Sequence, residues 1–205
     1  MPFTGAGKNA ALTQIGTLIT YAGLLKRETH KAITGVASTD VFTSNAHGYS
    51  DGDVVVLDTL TGGTGLVAAA GTSQAQLASA RLYHIRDSAT DTFKLAMQAA
   101  GTAVNFTTDV SAGYVSRLVE ISGGDPAYAR LAIAWGTAAD GAIDDSTNGI
   151  AFNVPAAGVA SYAGGFSAIT AGTMHKAEPL PTEETYTGQG TYNLTDDKVN
   201  LNAGA

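Results

Sequence analysis

Short apolar runs, often alternating with polar residues and closed by Gly, Asp, Asn or Ser, recur along almost the whole chain and predict an all-β protein. Only residues 6–16 (AGKNAALTQIG) show helical spacing. They bring Ala10, Ala11, Leu12 and Ile15 together, with Thr4 available as an N-cap and Gly16 as a stop. Residues 17–25 (TLITYAGLL) are rich in β-branched and aromatic side chains and predict a strand that leads into the polar, basic segment 26–31. Residues 32–114 have a rhythm of their own: AITGVAST, DVFTSNA, a turn at HGYSDGD, VVVLDTL, a Gly/Thr-rich loop, RLYHIRDS, DTFKLAM and VNFTT. Breaks every ~8–12 residues predict a small all-β module inserted into a larger one. Within it, residues 71–80 (GTSQAQLASA) suit either a helical turn or a loop.

From residue 115 onward the chain predicts further strands: VSRLVEIS, YARLAIAWG, GIAFNVP, VASYAGGFSAI, TMHKAEPL, GTYNLT and KVNLNA. Alternation puts Leu131, Ile133 and Trp135 on one face, and likewise Ile150, Phe152 and Val154. Pro155, Pro179 and Pro181 are expected at strand ends, where a missing N–H costs no ladder bond. The expected architecture is an antiparallel β-sandwich formed by residues 1–31 and 115–205, carrying a short N-terminal helix. A small β-barrel or sandwich, residues 32–114, is inserted into it.

Composition narrows the chemistry. Of 205 residues, 36 are Ala, 26 Thr and 25 Gly, while charged residues make up 14%, against about 25% in an average soluble protein. Hydrophobic residues at 44% are enough for a real core and exclude a highly charged disordered chain. A net charge of −7, with no basic cluster beyond Lys26, Arg27 and Lys31, lacks the electrostatic footprint of nucleic-acid binding. The absence of cysteine removes disulfides and thiolate chemistry. No apolar run reaches about 18 residues, and no charged leader precedes an apolar stretch. Neither membrane insertion nor a signal peptide is expected, and synthesis is expected in a cytoplasm.

No residue set assembles into a catalytic site by spacing, and neither a cofactor nor a metal is expected. His30, His47, His84 and His175 are scattered without ligand spacing. Asp51 and Asp53 in HGYSDGD read as turn residues rather than as cation ligands, and Asp140, Asp144 and Asp145 read as a solvated acidic loop. Gly5, Gly7 and Lys8 fail the spacing of a phosphate loop, and Asn9 stands where Ser or Thr is needed. Glu183 and Glu184 would point to opposite faces of a strand, which prevents them from flanking one glycosidic bond. Tyr128, Trp135, Tyr162, Tyr186 and Tyr192 offer amphipathic surfaces suited to core or subunit packing, or to stacking on a sugar. Leu12 and Ile15 join them as candidates for an interface through the N-terminal helix.

Three segments carry a resemblance: SGGDPAYARLAIAWG (residues 122–136), GIAFNVPAAGVASYAGGFSAITAGT (149–173) and EETYTGQGTYNLTDDKVNL (183–201). Together with KNAALTQIGTLITYAGL (8–24), they resemble a family of virion proteins of tailed phages infecting actinobacteria, usually labelled tail fibre or minor tail proteins. The match covers about half of the chain, and residues 32–114 depart from it as an insertion. The insertion in turn is similar to small β modules of phage tail and host-contact proteins, through the turn from His47 to Asp53 before a Val-rich strand. The resemblance implies a structural or adhesive virion component without enzymatic activity. It implies a homo-oligomer, trimeric in the simplest case, whose partners are other virion proteins and, at the host, a surface glycan. A capsid decoration protein and a free-standing carbohydrate-binding module are the alternatives.

Overall fold

Thr4 begins the only helix among the described residues by accepting a hydrogen bond from the Gly7 N–H on its hydroxyl at 3.2 Å, which satisfies one of the first-turn donors. The structure is a computed structural model that describes residues 4–67, 73–76, 81–145, 149–195 and 197–201. Helix α1 (Gly5–Leu18) is followed by β1 (Tyr21–Arg27), β2 (Lys31–Val36), β3 (Val41–Thr43), β4 (Val54–Gly62) and β5 (Thr64–Val67). Then come β6 (Ser73–Gln76), β7 (Leu82–Arg86), β8 (Thr92–Ala96), β9 (Val110–Glu120), β10 (Leu131–Ala132) and β11 (Ala142–Asp144). The chain closes with β12 (Ile150–Val154), β13 (Val159–Phe166), β14 (Met174–Thr185), β15 (Gly190–Leu194) and β16 (Lys198–Asn200). The all-β class with one N-terminal helix is as expected.

The chain divides into two units, one made of Met1–Lys26 with Glu120–Ala205 and the other of Arg27–Val119. The expected boundaries, after residues 31 and 114, sit at the first residue of β2 and within β9, because those strands belong wholly or mainly to the inserted unit.

The inserted unit is a closed antiparallel barrel of six strands in the order β9-β2-β3-β8-β7-β4, with β4 returning to β9. Closure gives each barrel strand a neighbour on both sides. Alternate side chains fill the interior: Ile33, Phe42, Val55, Leu57, Tyr83, Ile85, Phe93, Leu95 and Val115. Phe42 stacks on Phe93 at 5.7 Å between centroids and tilts against Phe106 at 5.0 Å. Residues 104–108 do not form the expected strand. Val104 and Phe106 are nevertheless buried in this core, with the Val104 N–H donating to the Leu95 carbonyl at 2.7 Å. Of residues 71–80, Ser73–Gln76 form strand β6, paired with β5, in place of a helical turn; the other positions lie outside the described residues.

The barrel strand β9 carries a β-bulge. Ile33 pairs with Gly113 and Gly35 with Val110, so two steps along β2 face three along β9. Opposite, β4 is irregular between Asp58 and Thr61, where Thr59 has a φ of 50°. A Cβ at Gly113 would stand 2.5 Å from the Leu60 side chain, which would have to move aside.

The terminal unit pairs β14 with β13 and β13 with β1, and β10 adds to β1; β12 pairs with β15, and β11 with β16. Its core joins Ala22, Leu24, Ala160 and Ala163 to Ile150, Phe152, Val154, Tyr192 and Leu194. Helix α1 runs two residues beyond the expected stop at Gly16, its last turn held by the Ile19 N–H donating to the Ile15 carbonyl at 3.1 Å and the Thr17 hydroxyl to the Gln14 carbonyl at 2.7 Å; Gly16 itself lies against Trp135 and Ile143, where an added Cβ would meet ring and methyl carbons at 3.2–3.3 Å. Consequently Thr17 and Leu18 are helical, and the strand expected from residue 17 begins at Tyr21. The YARLAIAWG segment supplies only the two-residue β10, although Ile133 is buried and Ala132 and Ala134 are exposed as the alternation requires. Pro155 follows β12 as expected, but Pro179 and Pro181 lie inside β14, a strand on the edge of its sheet, where proline is tolerated. Among the described residues no helix is long and apolar enough to cross a membrane.

The barrel interior yields a direct expectation. Phe42→Ala removes a fully buried ring in contact with two others and is expected to lower stability by about 3–5 kcal/mol in urea unfolding. A loss below about 1 kcal/mol would show that the site collapses around the truncation.

Candidate functional site

The segment 122–136 folds around Arg130. This side chain is only 9% exposed, and a buried guanidinium demands partners for its fork of donors. Nε and Nη2 donate to the two carboxylate oxygens of Glu120 at 2.8 and 2.7 Å, while Nη1 donates to the carbonyls of Ala168 and Ala171 at 2.7 and 3.0 Å. The guanidinium carbon lies 3.7 Å from the centroid of the Phe166 ring, so the cation also rests on an aromatic face.

Two residues earlier, Tyr128 completes the arrangement. Its hydroxyl accepts from the Leu24 N–H at 2.7 Å and donates to Glu120 Oε1 at 3.3 Å. Burial raises the pKa of this hydroxyl well above its ordinary value; the Leu24 N–H opposes the shift and the Glu120 carboxylate adds to it. Gly23 is what admits these groups to β1, since a Cβ there would meet Phe166 at 2.8 Å and the Tyr128 hydroxyl at 2.9 Å. A shallow cavity borders Tyr128, Arg130 and Ile169, but the guanidinium is already engaged by carboxylate and carbonyls.

The inserted unit has a comparable device at its His-Gly turn. Arg117 donates from Nε and Nη2 to Glu28 at 3.0 and 3.2 Å and from Nη1 to Asp53 at 3.0 Å. Asp53 also accepts from the Ser50 N–H at 2.9 Å, and Asp51 accepts from the Ser88 N–H at 2.8 Å. Both carboxylates therefore hold the turn. His47 is buried and accepts from the Tyr49 N–H on Nδ1 at 2.9 Å, while its ring packs edge-on to Phe93. Tyr49 is in turn buried, its hydroxyl donating to the Val115 carbonyl at 3.3 Å. Burial foremost, then the charge of Glu28, pushes its pKa up to about 12.

The nominated aromatic residues are brought into one unit but not onto one surface. Phe152 stacks on Tyr128 at 6.1 Å, Tyr192 is buried in the same core, and Tyr186 packs against it. The Tyr186 hydroxyl donates to Glu184 at 2.8 Å, and burial with that bond pushes its pKa up to about 12. Trp135 donates from its indole nitrogen to the Ile19 carbonyl at 2.6 Å, with the Lys176 ammonium 5.9 Å from its ring. Tyr162 is half-buried, Leu12 fully buried and Ile15 half-buried. Glu183 accepts from the Ser161 hydroxyl at 2.6 Å, whereas Glu184 binds Tyr186, so the two acids serve different neighbours. Lys176 forms a buried ion pair with Asp197 and donates to the Lys198 carbonyl at 2.8 Å. Among the described residues no group of three or more His, Asp or Glu side chains is placed to hold a metal ion. Sequence reasoning missed Glu120 and Asp197 as partners of buried cations, because neither stands at a spacing from its cation that marks a pair in the sequence.

Arg130→Ala leaves Glu120 without its cation and is expected to lower stability by about 3–5 kcal/mol in urea unfolding; an unchanged midpoint would refute the clamp. Alkaline titration gives a second expectation. A tyrosine whose pKa is about 10 unfolded and about 12 folded supports the fold fully below pH ~10 and loses that support as pH rises toward 12. Tyr49→Phe should therefore flatten the fall in stability across this window, followed by thermal unfolding at stepped pH; an equally steep fall would refute the assignment. Compared with protein-family models, with curated proteins and with solved structures, the chain gives no significant match to any.

Proposed function

We propose that this chain is a non-enzymatic structural component of a tailed-phage virion, a tail fibre or minor tail protein that assembles as a homo-oligomer, in the simplest case a trimer. The observation that carries this reading is the internal use of the segment on which the resemblance rests. Tyr128 and Arg130, the polar signature of SGGDPAYAR, are engaged with Leu24, Glu120, Ala168 and Ala171 inside the fold. A motif employed in this way specifies a scaffold rather than a reaction. In this reading the terminal unit is a sandwich, with β1 and β13 in one layer and the β12–β15 pair in the other, their side chains sharing one core.

Function then follows from packing and multiplicity. The terminal unit anchors to sister chains and other virion proteins, with α1, whose only fully buried side chain is Leu12, contributing to that surface. The inserted barrel, with its own core and closed hydrogen bonding, can be displayed in several copies and multiply weak contacts with a bacterial surface.

Light scattering on the purified chain is expected to give an oligomer at micromolar concentration, and a monodisperse monomer would refute self-assembly. Electron cryo-microscopy of the particle carrying the protein is expected to put its density at the tail. Density distributed over the capsid lattice would make it a decoration protein instead.

A further inference from the structure

We infer that the barrel face around Tyr114 is a binding subsite for a neutral hexopyranose. This deepens the proposed host contact and rests on that reading only for the origin of the sugar. Tyr114 is the one exposed aromatic side chain among the described residues, at 39% exposure, whereas the other tyrosines and Trp135 are buried or half-buried. An exposed aromatic face with polar groups at its rim is the chemistry that holds a pyranose: the electron-rich ring meets the sugar's C–H face, and its hydroxyls find donors and acceptors at the edge.

The rim is present. His30 meets the Tyr114 ring edge-on, with centroids 4.5 Å apart and an interplanar angle of 62°. On the neighbouring strand β4, Asp58 is the direct cross-strand partner of Tyr114, and its carboxylate is 58% exposed. One of its oxygens accepts from the Thr59 hydroxyl at 3.1 Å, and the other lies 3.9 Å from Arg27 Nη1. On the opposite side the cross-strand partner is Ala32, whose small side chain leaves room beside the ring. A carboxylate beside a guanidinium can accept from one sugar hydroxyl while the cation donates to its neighbour.

Two backbone irregularities produce this surface. Plain alternation from the inward-facing Val110 would turn Tyr114 inward as well; the extra residue of the β9 bulge reverses the phase, so that Gly113 and Val115 are buried and Tyr114 faces out. Directly across, Thr59 holds a left-handed backbone at φ 50°, costly for a β-branched residue, and it is this residue whose hydroxyl orients Asp58. Bulges and strained non-glycine residues concentrate where a side chain is re-aimed for binding. The ligand is neutral rather than polyanionic, because residues 27–119 carry six Lys or Arg against eight Asp or Glu.

The test is an NMR titration of the full chain with methyl glycosides of glucose, galactose and mannose, and with the soluble polymers of each. Binding by at least one of these is expected, with Tyr114→Ala weakening it at least tenfold, Tyr114→Phe changing it less than about threefold, and Asp58→Asn weakening it severalfold. Failure of all six to bind, or binding unchanged in both Tyr114→Ala and Asp58→Asn, would overturn the inference. Either failure with the protein still found in particles removes this subsite alone. Sugar binding through Tyr114 by a protein absent from particles supports the subsite and removes the virion reading.

Discussion

A guanidinium withdrawn from water has to have its donors satisfied, and in the terminal unit that demand organises residues from four separated stretches of chain. Glu120, at the last residue of β9, neutralises Arg130; the turn after β13 presents the Ala168 and Ala171 carbonyls to it; and Phe166 covers its face. Tyr128 extends the network to the backbone of β1, and Gly23 has no side chain because the space is taken. With no disulfide anywhere in the chain, such polar clasps are what give distant segments a unique register, while apolar burial supplies the bulk of the stability. Arg117, Glu28 and Asp53 do for the turn of the inserted barrel what Arg130 does for the terminal unit.

Much of the fold was legible in the sequence because it depends on local chemistry. Thr4 capped the helix as its side chain suggested, the Gly and Asp turns separated the strands, and the alternation of Ile150, Phe152 and Val154 gave the buried face of β12. The departures lie where tertiary context, rather than local chemistry, decides. Gly16 does not stop helix α1; it lies within the helix against Trp135 and Ile143, more than 100 positions away. Pro179 and Pro181 sit within a strand because no further strand follows it in that sheet. Val104 and Phe106 reach the barrel core without forming a strand.

The aromatic side chains show the same limit at the level of sites. Tyr128, Trp135, Tyr162, Tyr186 and Tyr192 share composition and strand-like context with Tyr114, and nothing local separates the buried from the exposed. What separates them is one inserted residue in β9, which is visible only once its partners on β2 and β4 are known. The use of Arg130 was not legible either, since Glu120 and the carbonyls of residues 168 and 171 carry no signal of their own.

The edge strand β14 has a consequence for crowded copies. Pro179 and Pro181 remove two backbone donors from it, and between Pro179 and Glu184 it runs out of register with β13. A neighbouring chain that tried to extend this sheet would meet an irregular edge short of two donors, beside the charges of Glu178, Glu183 and Glu184. Many molecules concentrated side by side can therefore touch through their side chains without zipping into fibrils along this edge.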